Sequence, residues 1–261
     1  GAGIFDASAA VDGAGTVECI TSVYDSLPDV QKMCDGYFAV APYVIPGKYV
    51  AYAFSYTGGA LIQWCVDTLA KEEKHLAKEA GISVNEYLER EYREKRGEDE
   101  SGSLLVLPHF AGAATPYMDS GSKGTIIGLT LDSTVADIYR GCMEGVVYEM
   151  LVNLEALKKA GCYLKKMNAT GGGARSGEWM QMKADILNIS ITALKTVDAG
   201  TVGSAMLTGI ALGVFQDLED AAAHMVEKTT EYLPRAEMHE KYRKNYERYA
   251  KIYQAVRPLV G

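Results

Sequence analysis

Three glycine-centred turns hold the residues best placed to do chemistry in this 261-residue chain. The most pronounced is Thr170-Gly171-Gly172-Gly173-Ala174-Arg175-Ser176. Cys162 to Asn168 before it reads as a short strand. Glu178 to Leu187 after it reads as a helix with Trp179, Met182 and Ile186 on one stripe. Three successive glycines let a backbone run close to a flat or charged ligand, because no Cβ stands in the way. The helix start adds unpaired N–H groups and a partial positive charge. That combination suits a nucleotide, although taken alone it suits a ligand-free tight turn equally well. Thr57-Gly58-Gly59 repeats the order of strand, glycine turn and helix, and Gly13 and Gly15 mark a hairpin whose turn would face a phosphate.

The elements that must position these turns follow from pattern. Ile4 to Ile20 alternates small and apolar residues as a β-hairpin, and Tyr37 to Phe54 reads as two short strands, broken by Pro42 and Pro46-Gly47. Ala60 to Ala70 is a helix. Residues 71–103 change character: Ser83 with Glu86 forms a capping box before a charged helix from Tyr87 to Lys95, then residues 97–102 form a solvated loop. This segment reads as a surface helical insertion whose charges form a wet face. Asp132 or Ser133 caps the longest helix, which runs to about Ala160 with Gly161 as its stop. Val135, Tyr139, Cys142, Val146, Met150 and Leu154 form its apolar stripe, while Glu144-Gly145 suits close packing or a polar contact. The small-residue run Gly200 to Val214 predicts a helix packed near the nucleotide loop. Tyr242, Tyr246, Tyr249 and Tyr253 predict a packed seam on a terminal helix. Alternating strands and helices indicate a mixed α/β domain.

A content of 48% hydrophobic and 23% charged residues allows a full core. Net charge of −8 argues against nucleic acid or an anionic membrane as partner, since those surfaces attract an excess of Lys and Arg. Five cysteines without C-x-x-C spacing read as buried reduced thiols, and no metal site is expected. With no signal peptide and no membrane-length apolar run, the chain reads as cytoplasmic.

In order along its length the chain resembles the C-terminal half of the FGGY carbohydrate kinases, the xylulokinases, glycerol kinases and ribulokinases among them. The resemblance is carried by Val11 to Thr16, by Gly58-Gly59-Ala60 with Gln63 and Trp64, by Leu107-Pro108 through Gly112 with Thr115-Pro116, Lys123-Gly124 and Gly128-Leu129, by Arg140-Gly141 with Glu144-Gly145, by Gly171 to Ser176 with Trp179 and Ala184-Asp185, and by Gly200, Gly203 and Ala205. It implies a ribonuclease-H-like fold of the actin, hexokinase and heat-shock-protein superfamily, with a mixed sheet flanked by helices. Residues 1–261 would form the ATP-binding domain, with 71–103 as its insertion.

The same resemblance implies ATP with Mg²⁺, and ATP-dependent phosphorylation of a small sugar or polyol, a ketose such as a pentulose in particular. Gly15 and Thr16 would meet the β- and γ-phosphates, Gly58 and Gly59 the phosphates or ribose, with Gln63 a lesser member of that turn. Gly172, Gly173 and Ala174 would line adenine and ribose, and Ser176 stands where some relatives place an adenine-contacting Asn. Gly1-Ala2-Gly3 resembles the end of the family segment that carries the general base, so the base Asp is expected just upstream of Gly1, beyond it a sugar-binding N-terminal domain, and no catalytic residue within this chain. Asp6 and Asp12 are the alternatives. The stretch Ala111 to Pro116 lacks the Glu-Arg pair of many xylulokinases, and Gly141 replaces a small Ala or Ser, which argues against naming xylulose. A non-catalytic nucleotide or sugar sensor of the same fold is the second reading, a chaperone-like ATPase module the third, and a homodimer is left open.

Overall fold

The computed structural model describes residues 1–97 and 99–260. Glu98, within the expected 97–102 loop, and Gly261, the end of the expected 1–261 domain, lie outside the described residues. In chain order the elements are β1 (Ala9–Ala14), β2 (Glu18–Tyr24), α1 (Val30–Asp35), β3 (Ala39–Pro42), β4 (Tyr49–Ser55), α2 (Gly59–Thr68), α3 (Lys71–Ala80), α4 (Val84–Arg96), β5 (Leu105–Leu107), β6 (Thr125–Ile127), α5 (Val135–Lys159), β7 (Lys166–Thr170), α6 (Gly177–Leu187), β8 (Ser190–Leu194), α7 (Ala199–Ala211), α8 (Leu218–Met225), β9 (Lys228–Tyr232), α9 (Ala236–Tyr249) and α10 (Ile252–Val260).

Seven strands form one mixed sheet in the order β3-β4-β2-β1-β7-β8-β9. The first four pair antiparallel, β1 with β7 and β7 with β8 run parallel, and β9 closes antiparallel on β8. Helices flank it, as the ribonuclease-H-like expectation requires. Register decides where the site forms. Gly13 of β1 lies opposite Thr170 of β7, so the two parallel strands end level and their glycine turns emerge at the same sheet edge. The carboxyl ends of parallel strands are where such sheets open a crevice for ligands.

The core lies between this sheet and α2, α5 and α6. Ala9, Ala10 and Ala14 are completely buried and keep the middle strand narrow. Helix α5 is buried on nearly every side from Ala136 to Met150, so it is a central helix and not merely one with an inward stripe. A Cβ at Gly145 would stand 2.2 Å from the carbonyl oxygen of Val106, and only glycine lets α5 lie that close on β5. Glu144 beside it is buried and accepts hydrogen bonds from the Gly102 N–H at 2.7 Å, Arg140 and the Tyr148 hydroxyl. Close packing and a polar contact therefore both occur.

The tyrosine seam is present and is more polar than expected. Tyr242 accepts from Arg140 at 2.6 Å, while Tyr246 donates to Glu155, Tyr249 to Glu149 and Tyr253 to Asp119. The predicted single helix from Ala236 to Val256 breaks at Ala250 and Lys251 into α9 and α10.

Three local expectations are corrected. Thr134, not Asp132 or Ser133, caps α5, because Asp137 three residues on completes a capping box with it, while the Ser133 hydroxyl accepts from the Thr130 N–H. The strand expected from Cys162 begins only at Lys166. The Cys162 N–H reaches back to the Leu157 carbonyl at 3.0 Å and closes the end of α5, so those apolar residues belong to the helix stop. Helix α7 packs on α8 around Met206, Ala221 and Ala222, with the Gly1 nitrogen against Gly203, and not on the glycine loop. The residues leading into α7 do reach the end of β7, where the Thr170 hydroxyl donates to the carbonyls of Thr196 and Val197. Among the described residues no helix is long and apolar enough to cross a membrane.

Candidate nucleotide site

The turn from Gly15 to Val17 joins β1 to β2 and is stitched to the start of α2. The Gly59 N–H donates to the Gly15 carbonyl at 2.8 Å, and the Gly58 and Ala60 N–H groups both donate to the Thr16 carbonyl at 3.0 Å. The first donors of α2 are thus used to hold the neighbouring turn and do not point at a ligand. What remains open on this turn is the Thr16 side chain, which is exposed and whose hydroxyl makes no hydrogen bond among the described residues.

The third turn follows β7, and its three glycines do three different things. Gly171 has φ +98°, and a Cβ there would stand 2.4 Å from the Ala14 carbonyl oxygen. At Gly173 it would stand 2.7 Å from Trp179. At Gly172 it would meet nothing within 4 Å, because that residue faces open space. Ser176 then caps α6, its hydroxyl accepting from the Trp179 N–H at 3.1 Å.

These turns border one cavity of about 1010 Å³. Of the residues singled out in the sequence, Gly15, Thr16, Gly59, Gln63, Gly172, Gly173 and Ser176 lie on its wall. Gly58 and Ala174 do not. Gly58 packs against the Val17 backbone, where a Cβ would stand 2.9 Å away, and the Ala174 methyl is buried in the core. Gln63 lies on the wall, although its side chain donates along the helix to Asp67 at 2.8 Å. Ile62, Tyr139, Met143 and Trp179 supply an apolar wall, suited to one face of a planar base.

The charged segment corrects the sequence reading. Lys71 to Ala80 forms a further helix, α3, and α4 starts at Ser83 as the capping box predicted, with the Ser83 hydroxyl accepting from the Glu86 N–H. Yet α4 is not only a wet face. Leu88 and Tyr92 bury it against α5, and Ser83, Asn85, Glu86 and Glu89 lie on the cavity wall. The repeat of Leu88 and Tyr92 four residues apart was the available signal, hidden by the density of charge. Burial, with Glu178 nearby, pushes the Glu89 carboxyl up to about 7, against the opposing pull of Arg93, Ser176 and Arg140.

Neither alternative base lies on the wall. Asp6 is exposed and bonded to Ser8, with Lys166 at 3.4 Å. Asp12 is completely buried and pairs with Lys183 at 2.7 Å, and Lys183 also pairs with Glu18 at 2.6 Å. Burial holds Glu18 well above the ordinary carboxylate range, with Lys183 opposing and Asp12 adding to the rise. For Lys183 burial pulls downward, but the two carboxylates outweigh it and the ammonium is raised. The Lys183 Nζ lies 4.8 Å from the centre of the Trp179 ring, which in turn backs Gly173. This ion cluster therefore underpins the floor of the cavity, and neither Lys183 nor Glu18 was anticipated.

A second network steadies α6 from the far side. Arg140 of α5 bonds Glu144, Glu178 and Tyr242, Arg93 of α4 bonds Glu178, and Arg235 pairs with Asp185 at 2.8 Å. The Arg140 and Asp185 positions singled out in the sequence thus hold the helix whose N-terminus carries Ser176.

The profile of the FGGY family of carbohydrate kinases, C-terminal domain, matches residues 14–212. A xylulose kinase of Staphylococcus epidermidis is 27% identical over 263 residues, which cover 100% of this chain and 50% of the relative. The chain thus spans about half the length of that relative. The crystal structure of ligand-bound xylulose kinase from Lactobacillus acidophilus matches with a TM-score of 0.80 at 22% identity, over 98% of this chain and 49% of that one. Plasmodium falciparum glycerol kinase with ADP matches with a TM-score of 0.70 at 17% identity, over 95% and 46%. The sheet, its flanking helices and the profile match agree: the chain belongs to the FGGY family of carbohydrate kinases, as its C-terminal domain.

Proposed function

We propose that this chain is the nucleotide-binding half of an ATP-dependent kinase for a small sugar or polyol, a ketose such as a pentulose in particular. The observation that carries the reading is the meeting of three glycine turns, from three separate parts of the chain, on one cavity with an apolar wall. In it Thr16 offers a free hydroxyl for the terminal phosphates, Gly172 an open floor, and Ser176 and α4 the far wall. The residues fit a nucleotide because Gly172 faces the cavity with no side chain of its own. Mg²⁺ would be held chiefly by phosphates and water, as this cation prefers. Phosphoryl transfer asks mainly for positioning and neutralisation of charge, and these residues do the positioning. The base that takes the sugar hydroxyl's proton belongs to the sugar-binding half, with residues 1–261 as the ATP-binding domain and 71–103 as its insertion. The cytoplasm is the compartment that supplies ATP and fits the reduced thiols.

The test is ATP consumption with a panel of ketoses, aldoses and polyols. It compares the 261-residue chain alone with the same chain joined to a sugar-binding domain of its family. Sugar-dependent turnover is expected only from the joined form, since loss of a general base costs about 10²–10⁴-fold. Turnover by the chain alone, abolished by Asp6→Asn, would overturn this division of labour.

A further inference from the structure

The cavity has a chemical polarity that the glycine turns do not explain. Its charged lining residues are Glu86, Glu89 and Arg175, so the α4 wall is acidic. A di- or triphosphate is repelled by the Glu86 carboxylate and by Glu89 whenever it is ionised, since like charges at short range oppose each other. The phosphates therefore belong beside the exposed Thr16 hydroxyl, and the base belongs at α4. There Glu89 reaches the capping residue of α6, its Oε1 accepting from the Ser176 hydroxyl at 3.4 Å. That is its one hydrogen bond among the described residues, which leaves the second carboxyl oxygen and one lone pair of Oε1 free for a ligand.

Resting on the nucleotide reading above, we propose that Glu89 reads the Watson–Crick edge of the bound purine and admits guanine as well as adenine nucleotides. A carboxyl group has two ways of pairing with that edge. When neutral, its O–H donates to adenine N1 while its carbonyl accepts from the N6 amine. When ionised, both oxygens accept, one from guanine N1–H and one from the N2 amine. The proton exchanged between the two forms goes to and from solvent. The groups facing Glu89 are Glu178 and Ser176 from α6 and its cap, Arg140 and Tyr139 from α5, and Arg93 and Glu86 from α4, with Arg175 on the same wall. Burial and Glu178 place the switch at about 7. Adenine is favoured below that pH and guanine above it.

The experiment is calorimetric titration of the 261-residue chain with ADP and with GDP, in Mg²⁺, at about pH 6 and about pH 8. Phosphate ionisation changes with pH alike for both ligands, so the ratio of the two Kd values isolates the base. The GDP-to-ADP ratio is expected to fall by about tenfold between the two pH values. Glu89→Gln, whose amide donates and accepts as the neutral acid does, is expected to hold the ratio at its low-pH value throughout. A ratio that does not move with pH in the wild-type chain, with both nucleotides bound, overturns the proposal, whether or not the variant folds. So does a variant whose ratio follows the wild type. If neither nucleotide binds, the nucleotide reading itself falls and takes this proposal with it.

Discussion

Three adjacent glycines invite a single explanation, and the structure predicts three outcomes. Gly172 has φ −62° and ψ −38°, ordinary helical backbone for any L-residue, and its Cβ direction is empty. Gly172→Ala should therefore leave the fold unstrained and raise stability by about 0.4–1 kcal/mol, by restricting the unfolded chain. Gly173→Ala drives a methyl to 2.7 Å from Trp179 and 3.1 Å from the Ala14 methyl. Overpacking of that kind costs about 1–3 kcal/mol. Gly171→Ala adds a left-handed backbone to a 2.4 Å contact with the Ala14 carbonyl and should be the worst of the three. For binding the order reverses. A leucine at Gly172 projects into the cavity and denies the base one face. If a purine face of about 60 Å² loses its apolar contact, the loss is about 1.5 kcal/mol, or about tenfold in Kd. Thermal unfolding of the three alanine variants and calorimetry of Gly172→Leu with ADP check both halves. If Gly172→Ala melts as low as Gly173→Ala, the turn geometry is wrong, and if Gly172→Leu binds ADP as the wild type does, the base does not lie on this turn.

Thr16→Val should weaken ATP more than ADP, by about 1.5–3 kcal/mol for a hydrogen bond to a charged group, roughly ten- to hundredfold; equal loss for both ligands would take the hydroxyl away from the terminal phosphate. Lys183→Met leaves Asp12 and Glu18 buried without their cation, and chemical denaturation should show a loss of about 3–5 kcal/mol. Glu18 has a raised value in the folded state, so its contribution to stability is complete below its ordinary value of 4.5 and is lost as pH rises through the raised value. Glu18→Gln, which copies the neutral acid, should accordingly gain melting temperature over the wild type at about pH 8 and much less at about pH 5; a gain that does not change with pH would mean Glu18 is ionised in the fold.

The turns themselves were legible because glycine runs between a strand and a helix break both patterns, and the hairpin, the paired strands and α2 followed from alternation and breakers. Topology was not legible in that way. The parallel pairing of β1 with β7 joins residues more than 150 positions apart, and only the family resemblance carried it. Residues that distant elements bring to the cavity wall or beneath its floor were missed for the same reason. Glu89 fell within the charged helix read as a wet face, and nothing in the pattern of α6 set Lys183 apart. The cap of α5 was recoverable: Thr134 is the one of three adjacent polar residues with an acid three positions on. The expected position of α7 failed because small residues permit close approach without saying to what.

The bonds from Gly58, Gly59 and Ala60 to the Gly15 and Thr16 carbonyls make two distant sequence positions into one unit of variation. A methyl on Gly58 presses on the Val17 backbone, and one on Gly59 presses on the Gly15 carbonyl, so both displace the same turn. Once the first substitution has moved that turn, the second meets a partner already gone. The two losses should combine to less than their sum, a coupling read directly by a double-mutant cycle. Substitutions that reshape this edge of the cavity would then have to be acquired in pairs across the two segments, because neither segment can change alone without giving up the fit of the other.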